Sequence, residues 1–394
     1  MTPLLLSHFG IVTSLGAGEA ETVARLRSGR GGLKPCDFET ATLPTYIGAV
    51  ERIEDRPIDP PLAAFDCRNN RLVRMALEQD GFKQAVSEAR ARYGAGRIGV
   101  FAGTSTAGIL QTELAFRQRD PETGELPDGF QYRGSHSVFS VADFVQRELR
   151  LTGPALSVSA ACASTAKAFG NAARMIELGI CDAAVVGGAD SLCLTTLYGF
   201  HSLQLTGERP CQPFDLMRGG ISIGEAAGFA LVERTEGRKG IALLGIGESG
   251  DAYHMSSPHP EGLGAKRAMA GALASSGLSP DAIDYINLHG TATRVGDAAE
   301  DNAVWSLFED SVPCNSTKGL TGHTLGAAGI VEAIISTLCI THGFIPPSPT
   351  TRELDPDLRS RYTVSGGDAD LTHVMSNSFG FGGSNCSLIF GRVP

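Results

Sequence analysis

Short apolar, β-branched runs alternate along the chain with longer Ala-rich stretches whose apolar residues recur at helical spacing. That rhythm predicts parallel or mixed sheets covered by helices. RIGVFAG (97–103), ALSVSA (155–160), DAAVVGG (182–188) and GFALVE (228–233) read as strands of a first half. IALLGIG (241–247), DYINLHG (284–290), HVMSNSF (373–379) and CSLIFG (386–391) read as strands of a second. Helices are predicted over KRAMAGALASSG (266–277) and GAAGIVEAIISTLCIT (326–341), each closed by glycine or polar stops. The expected division is residues 1–236 and 237–394. Each half sets a chemically able residue directly beyond a buried strand, Cys162 in the first and His289 in the second. Open α/β sheets gather ligands beyond the carboxyl ends of their strands, so two facing halves can pool one site.

Composition narrows the function classes. With 394 residues, 42% hydrophobic and 19% charged, the chain can bury a large globular core. A formal net charge of −10 argues against a nucleic-acid partner. An acidic partner then needs a local basic patch. RNNRLVR offers one, because Arg68, Arg71 and Arg74 recur every third residue and can share a helix face, although such runs also serve as plain solvated surface. Nine scattered cysteines, none at C-x-x-C spacing, point to reduced cytoplasmic thiols rather than disulfides or zinc. No Lys or Arg precedes the first apolar residues, so no signal peptide is expected. The longest apolar tract, around GIVEAIISTLCI, carries Glu332 and is short for a bilayer, so no membrane association is expected.

Four stretches carry chemistry. In SVSAACASTAKAF (157–169) a strand turns directly into a helix at Cys162, where the free N–H groups and dipole of the helix start favour a thiolate and a lowered pKa. Ala161, Ala163 and Ser164 leave room around the sulfur. In NLHGTATRVGDAAE (287–300), Thr291 and Asp297 can hold the loop that presents His289. In NSTKGLTGHTLGAAG (315–329), Lys318 and His323 share a glycine-punctuated loop, and Glu332 on the following helix can pair with Lys318. In MSNSFGFGGSNCSLIF (375–390), FGFGG suits a loop that approaches a ligand by its backbone, with an N–H there and that of Cys162 forming an oxyanion hole. The bland alternatives are a buried structural cysteine, structural histidines and a plain turn.

Taken in order, SAACAS, HGTATRVGD, STKGLTGHTLGAAG and NSFGFGGSN resemble the elongating β-ketoacyl-acyl-carrier-protein synthases of type II fatty-acid synthesis. GEAAGFALVE (224–233) and GDAYHMSSP (250–258) extend the likeness over nearly the whole chain. The resemblance implies an α/β, thiolase-like five-layer αβαβα fold of two similar halves, and a dimer with another copy or a related subunit. It implies that Cys162 is the acyl-accepting nucleophile, that His289 and His323 are the active-site histidines, and that Lys318 supports them with Glu332 as its partner. Phe381 matches the gating phenylalanine whose N–H joins the oxyanion hole. Thr291, Thr293, Phe379, Phe200 and Glu332 become substrate-binding candidates, and Arg68, Arg71 and Arg74 carrier-protein-binding ones. The implied reaction is decarboxylative Claisen condensation of an acyl group on Cys162 with malonyl-acyl-carrier protein. Its thioester substrates ride on phosphopantetheine, and no metal or redox cofactor is needed. Departures lie at RGGISIGE (218–225), SHFGIV near the start and Arg294, while LTGERPCQPFD is more similar to ketosynthases of aryl-polyene-type pathways. Two rivals remain at this point. One is a non-catalytic partner subunit; the other is a biosynthetic thiolase, which needs a second cysteine in a late Gly-rich loop, whereas Cys386 sits beyond GGSN on the expected final strand, facing the core.

Overall fold

A computed structural model describes residues 1–393. Ten strands carry the architecture. The first half holds β1 (Leu4–Thr13), β2 (Ile98–Gly103), β3 (Ala155–Val158), β4 (Ala183–Asp190) and β5 (Ala226–Arg234). The second holds β6 (Gly240–Gly250), β7 (Tyr285–Asn287), β8 (Cys314–Asn315), β9 (His373–Gly380) and β10 (Ser384–Val393). Their spatial orders are β3-β2-β4-β5-β1 and β8-β7-β9-β10-β6. Counted within each half, both read 3-2-4-5-1. In both, the outer three strands are parallel and the fourth, fifth and first pair antiparallel. The halves are therefore two copies of one topology, and they join where β1 meets β6 at Leu4↔Leu243 and Leu5↔Ala242.

Burial explains the layers. Strand β4 is buried along its whole length, as its unbroken small and branched residues require for a strand covered on both faces. Helices α1 (Arg68–Leu77), α2 (Phe82–Tyr93) and α3 (Ser140–Glu148) cover the outside of the first sheet around Val73, Phe82, Phe144 and Phe229. Helices α6 (Leu263–Ser276) and α7 (Arg294–Phe308) cover the outside of the second around Met269, Val304 and Ile389. Between the sheets lie α4 (Ser164–Glu177) and α8 (Ala328–His342), packed with Phe169, Ile330, Ile334 and Phe390 into the largest core. The sequence of layers is αβαβα. Because α8 touches both sheets, it is buried on every side. That burial accounts for Leu325–His342, the one stretch among the described residues long and apolar enough to cross a membrane; it is an interior helix here.

The eight strands and two helices expected from the sequence are present, with one informative shortening. The strand expected over 284–290 ends at Asn287. The backbone leaves the ladder because Glu300 takes the N–H groups of His289 and Gly290, at 2.8 and 2.7 Å. That capture bends the chain and turns the imidazole toward the gap between the halves.

Candidate active site

Each central helix is preceded by a loop that delivers one reactive side chain. Ahead of α4, Ala161 takes a left-handed conformation (φ 48°), so the strand turns sharply and places Cys162 at the helix mouth. Ahead of α8, the segment from Gly322 to Ala327 carries His323. Its backbone is fixed on both sides, the His323 N–H donating to Ser222 O at 2.7 Å and its carbonyl accepting from the Gly224 N–H at 2.9 Å. His323 Nε2 then lies 3.0 Å from Cys162 Sγ. The His289 and His323 rings meet edge to face with centroids 5.1 Å apart. One donor atom from each of Cys162, His289 and His323 falls within 4.8 Å of the others.

The three groups line a cavity of about 400 Å³ that also touches Phe200, Thr291, Thr293, Phe379, Gly380 and Phe381. Phe200, on α5 (Leu194–Ser202), faces Phe381 with ring centroids 5.5 Å apart, and the Phe379 ring lies 6.0 Å from His289. Thr293 caps α7, accepting from the Gly296 N–H, and its hydroxyl pairs with that of Thr291 at 3.1 Å. Lys318 and Glu332 stand behind the cavity wall. Lys318 Nζ is 3.4 Å from His289 Nδ1 and forms a buried ion pair with Glu332, so Glu332 reaches the site only through the lysine. As a candidate for direct substrate contact, Glu332 is corrected by this placement: another side chain lies between it and the cavity.

Electrostatics assign the resting protonation. Burial, then the Lys318 charge and the neighbouring His323, hold His289 well below the usual imidazole range. Burial and Lys318 do the same to His323. Both rings are neutral at pH 7. An ammonium can only donate, so His289 Nδ1 accepts from Lys318 and the proton of the neutral ring resides on Nε2. Such a ring offers the cavity a hydrogen-bond donor rather than a lone pair. The same tautomer makes the Cys162, His289, His323 set a poor metal centre despite its spacing, since His289 would have to exchange its Lys318 bond for a metal bond.

The thiol differs from the sequence expectation. Burial pushes Cys162 up to about 12, against the lowering effects of Lys318 and the Phe381 N–H. The helix start that predicts a thiolate is present, but the sulfur there is also buried, and desolvation of the anion outweighs it. At rest the group is a thiol with a neutral imidazole at hydrogen-bond distance.

Gly380 and Phe381 lie against the Cys162 turn. A Cβ at Gly380 would lie 3.0 Å from Ala160 O and 3.1 Å from Cys162 N, so any larger residue would force the Cys162 turn to give by a few tenths of an ångström. The Phe381 N–H points at the Cys162 sulfur. The loop is clipped to its neighbour by Gly382 N–H to Met255 O (2.8 Å), Asp251 N–H to Gly383 O (2.9 Å) and Asn385 Nδ2 to Asp251 Oδ1 (2.8 Å).

The arginine patch expected on α1 does not exist as free charge. Arg68 is buried, its guanidinium forked onto Glu225 with a third contact to Glu54 at 2.6 Å. Arg71 grips both carboxylate oxygens of Asp66 at 2.7 Å and also meets Glu54. Arg74 lies between Glu78 and Glu148. These side chains answer carboxylates of the same chain, which leaves no free cationic face on α1.

Glu300 is the site residue that sequence reasoning missed. It anchors the His289 turn and accepts from Asn377 Nδ2 at 3.2 Å. Its signal was available: Asp297 and Glu300 are three apart on one helix face, and Asp297 likewise takes the Ala292 N–H at 3.1 Å. Cys386, by contrast, is fully buried on β10, and Cys162 is the only cysteine on the cavity wall among the described residues.

Comparison with known proteins gives a consistent picture. Residues 10–237 match the family model for the β-ketoacyl synthase N-terminal domain, and residues 241–352 match that for the C-terminal domain. A 3-oxoacyl-[acyl-carrier-protein] synthase 2 of Rhizobium meliloti is 34% identical over 100% of this chain and 99% of its own. One from Coxiella burnetii is 31% identical over 99% and 98%. Among solved structures, a ketosynthase (ApeO) in complex with its chain length factor (ApeC) from Xenorhabdus doucetiae superimposes with a TM-score of 0.90 at 38% identity, covering 100% of this chain and 98% of that one.

Proposed function

Because the chain belongs to the β-ketoacyl synthase family, we propose that it is an acyltransferase that joins an acyl group on Cys162 to a malonyl unit delivered by acyl carrier protein, lengthening the chain by two carbons. The observation that carries the residue roles is the convergence of Cys162, His289 and His323 in one cavity from loops of both halves.

The first half-reaction is transfer to sulfur. The carrier's thioester carbonyl meets Cys162, whose proton passes toward the neutral His323 Nε2 at 3.0 Å as the C–S bond forms. The tetrahedral oxyanion faces the N–H groups of Cys162 and Phe381, and the pantetheine thiol leaves with the proton. Malonyl-carrier protein then enters. Its C–C bond to the carboxylate breaks, carbon dioxide departs, and the electron pair becomes an enolate on the thioester. The Nε2–H of His289, fixed by Lys318, donates to the enolate oxygen, with His323 beside it. The enolate carbon attacks the acyl-Cys162 carbonyl, the C–S bond breaks, and the sulfur leaves as a thiolate that takes up one proton from solvent to regain the resting thiol. Thioester cleavage and loss of carbon dioxide supply the driving force, so the proposed cycle uses no metal or redox cofactor.

Partner and setting follow the same reading. Strand β3 closes one edge of the first sheet with only β2 beside it, and Leu156 on it is exposed, which supports pairing with a second subunit there. Over the full chain, the 38% identity to a subunit of the ketosynthase–chain length factor complex exceeds the 31% and 34% to the two full-length 3-oxoacyl synthases. That margin favours a related subunit over a second copy, and a specialised polyene or polyketide product over a housekeeping one. A cytoplasmic location fits nine cysteines with no disulfide. The non-catalytic alternative is disfavoured by the intact Cys162, His289 and His323, and the thiolase by the absence of a second cysteine on the cavity wall.

The test is mass spectrometry of the protein after exposure to an acyl-carrier thioester, followed by malonyl-carrier protein. Acyl mass on Cys162 and a β-keto product two carbons longer are expected, and neither with Cys162→Ala. An unmodified wild-type chain would point to the non-catalytic partner, and product formed from acetyl thioesters without malonyl units would point to the thiolase.

A further inference from the structure

Cys162 and His323 come from different halves and stand 3.0 Å apart, and the Ser222 and Gly224 bonds that anchor the His323 backbone do not involve the Cys162 turn. A link does exist one helical turn further along each chain. Thr165 is three residues after Cys162, and Gly326 is three residues after His323. The Thr165 hydroxyl donates to Gly326 O at 2.7 Å and accepts from the Ile330 N–H at 3.0 Å. From the opposite side the Gly326 N–H donates to Asp190 Oδ2 at 2.6 Å. Both grips are fully buried.

Asp190, the last residue of β4, does more than hold one peptide. Its carboxylate accepts from the Ser105 N–H (2.8 Å) and the Thr106 N–H (3.0 Å), and from the hydroxyls of Thr104 (2.6 Å), Thr106 (3.0 Å) and Ser105. It is thereby immobilised by the loop after β2 before it reaches Gly326. Packing here is close on both sides: a Cβ at Gly326 would fall 2.7 Å from Asp190 Oδ2 at the end of β4, and one at Gly329 on α8 would fall 2.4 Å from Ala166 N on α4. Leu325, between His323 and Gly326, is held at φ 51°, a conformation that persists only where its surroundings impose it.

We propose that Thr165 and Asp190 are positioning residues: they clamp the two ends of Gly326 and thereby set the separation of Cys162 and His323 across the boundary between the halves. The inference rests on the ketosynthase reading for its catalytic consequence, though not for its geometric one. Reacting groups lose about 10²-fold in rate for a displacement near 1 Å, so a slack clamp costs turnover while substrate binding persists.

The experiment is a double-mutant cycle read by two assays. One is alkylation of Cys162 by iodoacetamide at pH 8, which needs no ketosynthase activity. The other is the steady-state condensation rate. Thr165→Val keeps the shape and removes the hydroxyl. It is expected to slow alkylation about 10-fold in the presence of His323 and by less than 2-fold in a His323→Ala background, and to lower kcat about 10²-fold with KM changed less than 3-fold. Thr165→Ser should restore both. Asp190→Asn should show the same dependence on His323, and the charge it removes acts on the sulfur in both backgrounds and so cancels in the cycle. Equal slowing with and without His323, or no slowing by either variant, would overturn the clamp. If Thr165→Val fails to fold, Asp190→Asn and Thr165→Ser decide alone. Clamp-dependent alkylation in a protein that performs no condensation would retain the positioning role while discarding the reaction assigned above.

Discussion

Lys318 Nζ stands 3.4 Å from His289 Nδ1, with its charge answered by Glu332 on the other side. The ammonium thus does two jobs at once: it fixes which imidazole nitrogen carries the proton, and it keeps a fully buried carboxylate from standing alone. Lys318→Met should therefore fail in two separable ways. Removing one partner of a buried pair costs about 3–5 kcal/mol, measurable by denaturant unfolding, and the double variant Lys318→Met with Glu332→Leu should recover most of that loss. Activity should not return in the double variant, because His289 is then free to place its proton on Nδ1. Recovery of turnover along with stability would show that the lysine matters only as a counter-ion.

Gly380→Ala tests the backbone approach beside Cys162, the proposed nucleophile. The new Cβ would press on Ala160 O and Cys162 N and push Phe381 outward. Loss of one oxyanion donor typically lowers kcat about 10²–10³-fold, so acylation should slow by that order with KM for the acyl thioester little changed. A loss confined to KM would mean that the loop only shapes entry.

The two buried imidazoles make stability depend on pH. Their folded-state values lie well below the ordinary one near 6.5, so the unfolded chain takes up protons first as the solution is acidified. Their contribution is present above pH 6.5 and is lost as pH falls toward the folded values, with a slope of up to about 1.4 kcal/mol per pH unit for each ring. Asp297, raised to about 7 by burial, works the other way: its contribution is present below the ordinary carboxylate range and is lost as pH rises through about 7. Comparing urea unfolding of wild type and His289→Gln/His323→Gln between pH 7.5 and 5.5 isolates the histidines. The wild type should lose more stability over that interval, and parallel losses would contradict the neutral-ring assignment.

Charge reversal separates internal arginines from free ones. Arg68→Glu breaks a buried fork onto Glu225 and should cost about 3–5 kcal/mol of stability. Arg294, exposed at the first position of α7 and on the cavity rim, forms no ion pair among the described residues. Arg294→Glu should leave the unfolding midpoint unchanged and weaken binding of an acidic carrier protein, read by titration against the carrier and against a minimal pantetheine thioester that lacks it. Equal weakening of both substrates would place Arg294 at the substrate arm instead.

The chemistry was legible in the sequence wherever it is local. Cys162 at a strand-to-helix turn, His289 beyond a strand and FGFGG as a backbone loop all follow from residue type and short-range spacing, and the structure places each beside the cavity. What the sequence hid is tertiary. Helical spacing put Arg68, Arg71 and Arg74 on a common face but gave no sign that Glu225, 157 positions away, would meet one of them in the interior. A helix start promised an acidic thiol, and only the assembled site reveals that burial of the sulfur outweighs it. Thr165 and Asp190 carry no motif of their own, because their partners lie 161 and 136 positions distant at Gly326.

The seam between the halves has a consequence for how the polypeptide is threaded. Leu4 aligns with both Arg234 and Leu243, and Val393 aligns with Gly240. The beginning, the middle and the end of the chain consequently gather at one margin, with only β6 separating the two outer segments, a gap of about 10 Å at ordinary strand spacing. A short tether across that gap and a cut near Gly237 would reverse the written order of the halves without moving a single wall of the cavity. The geometry of the cavity thus depends on how the two halves meet and not on which of them comes first.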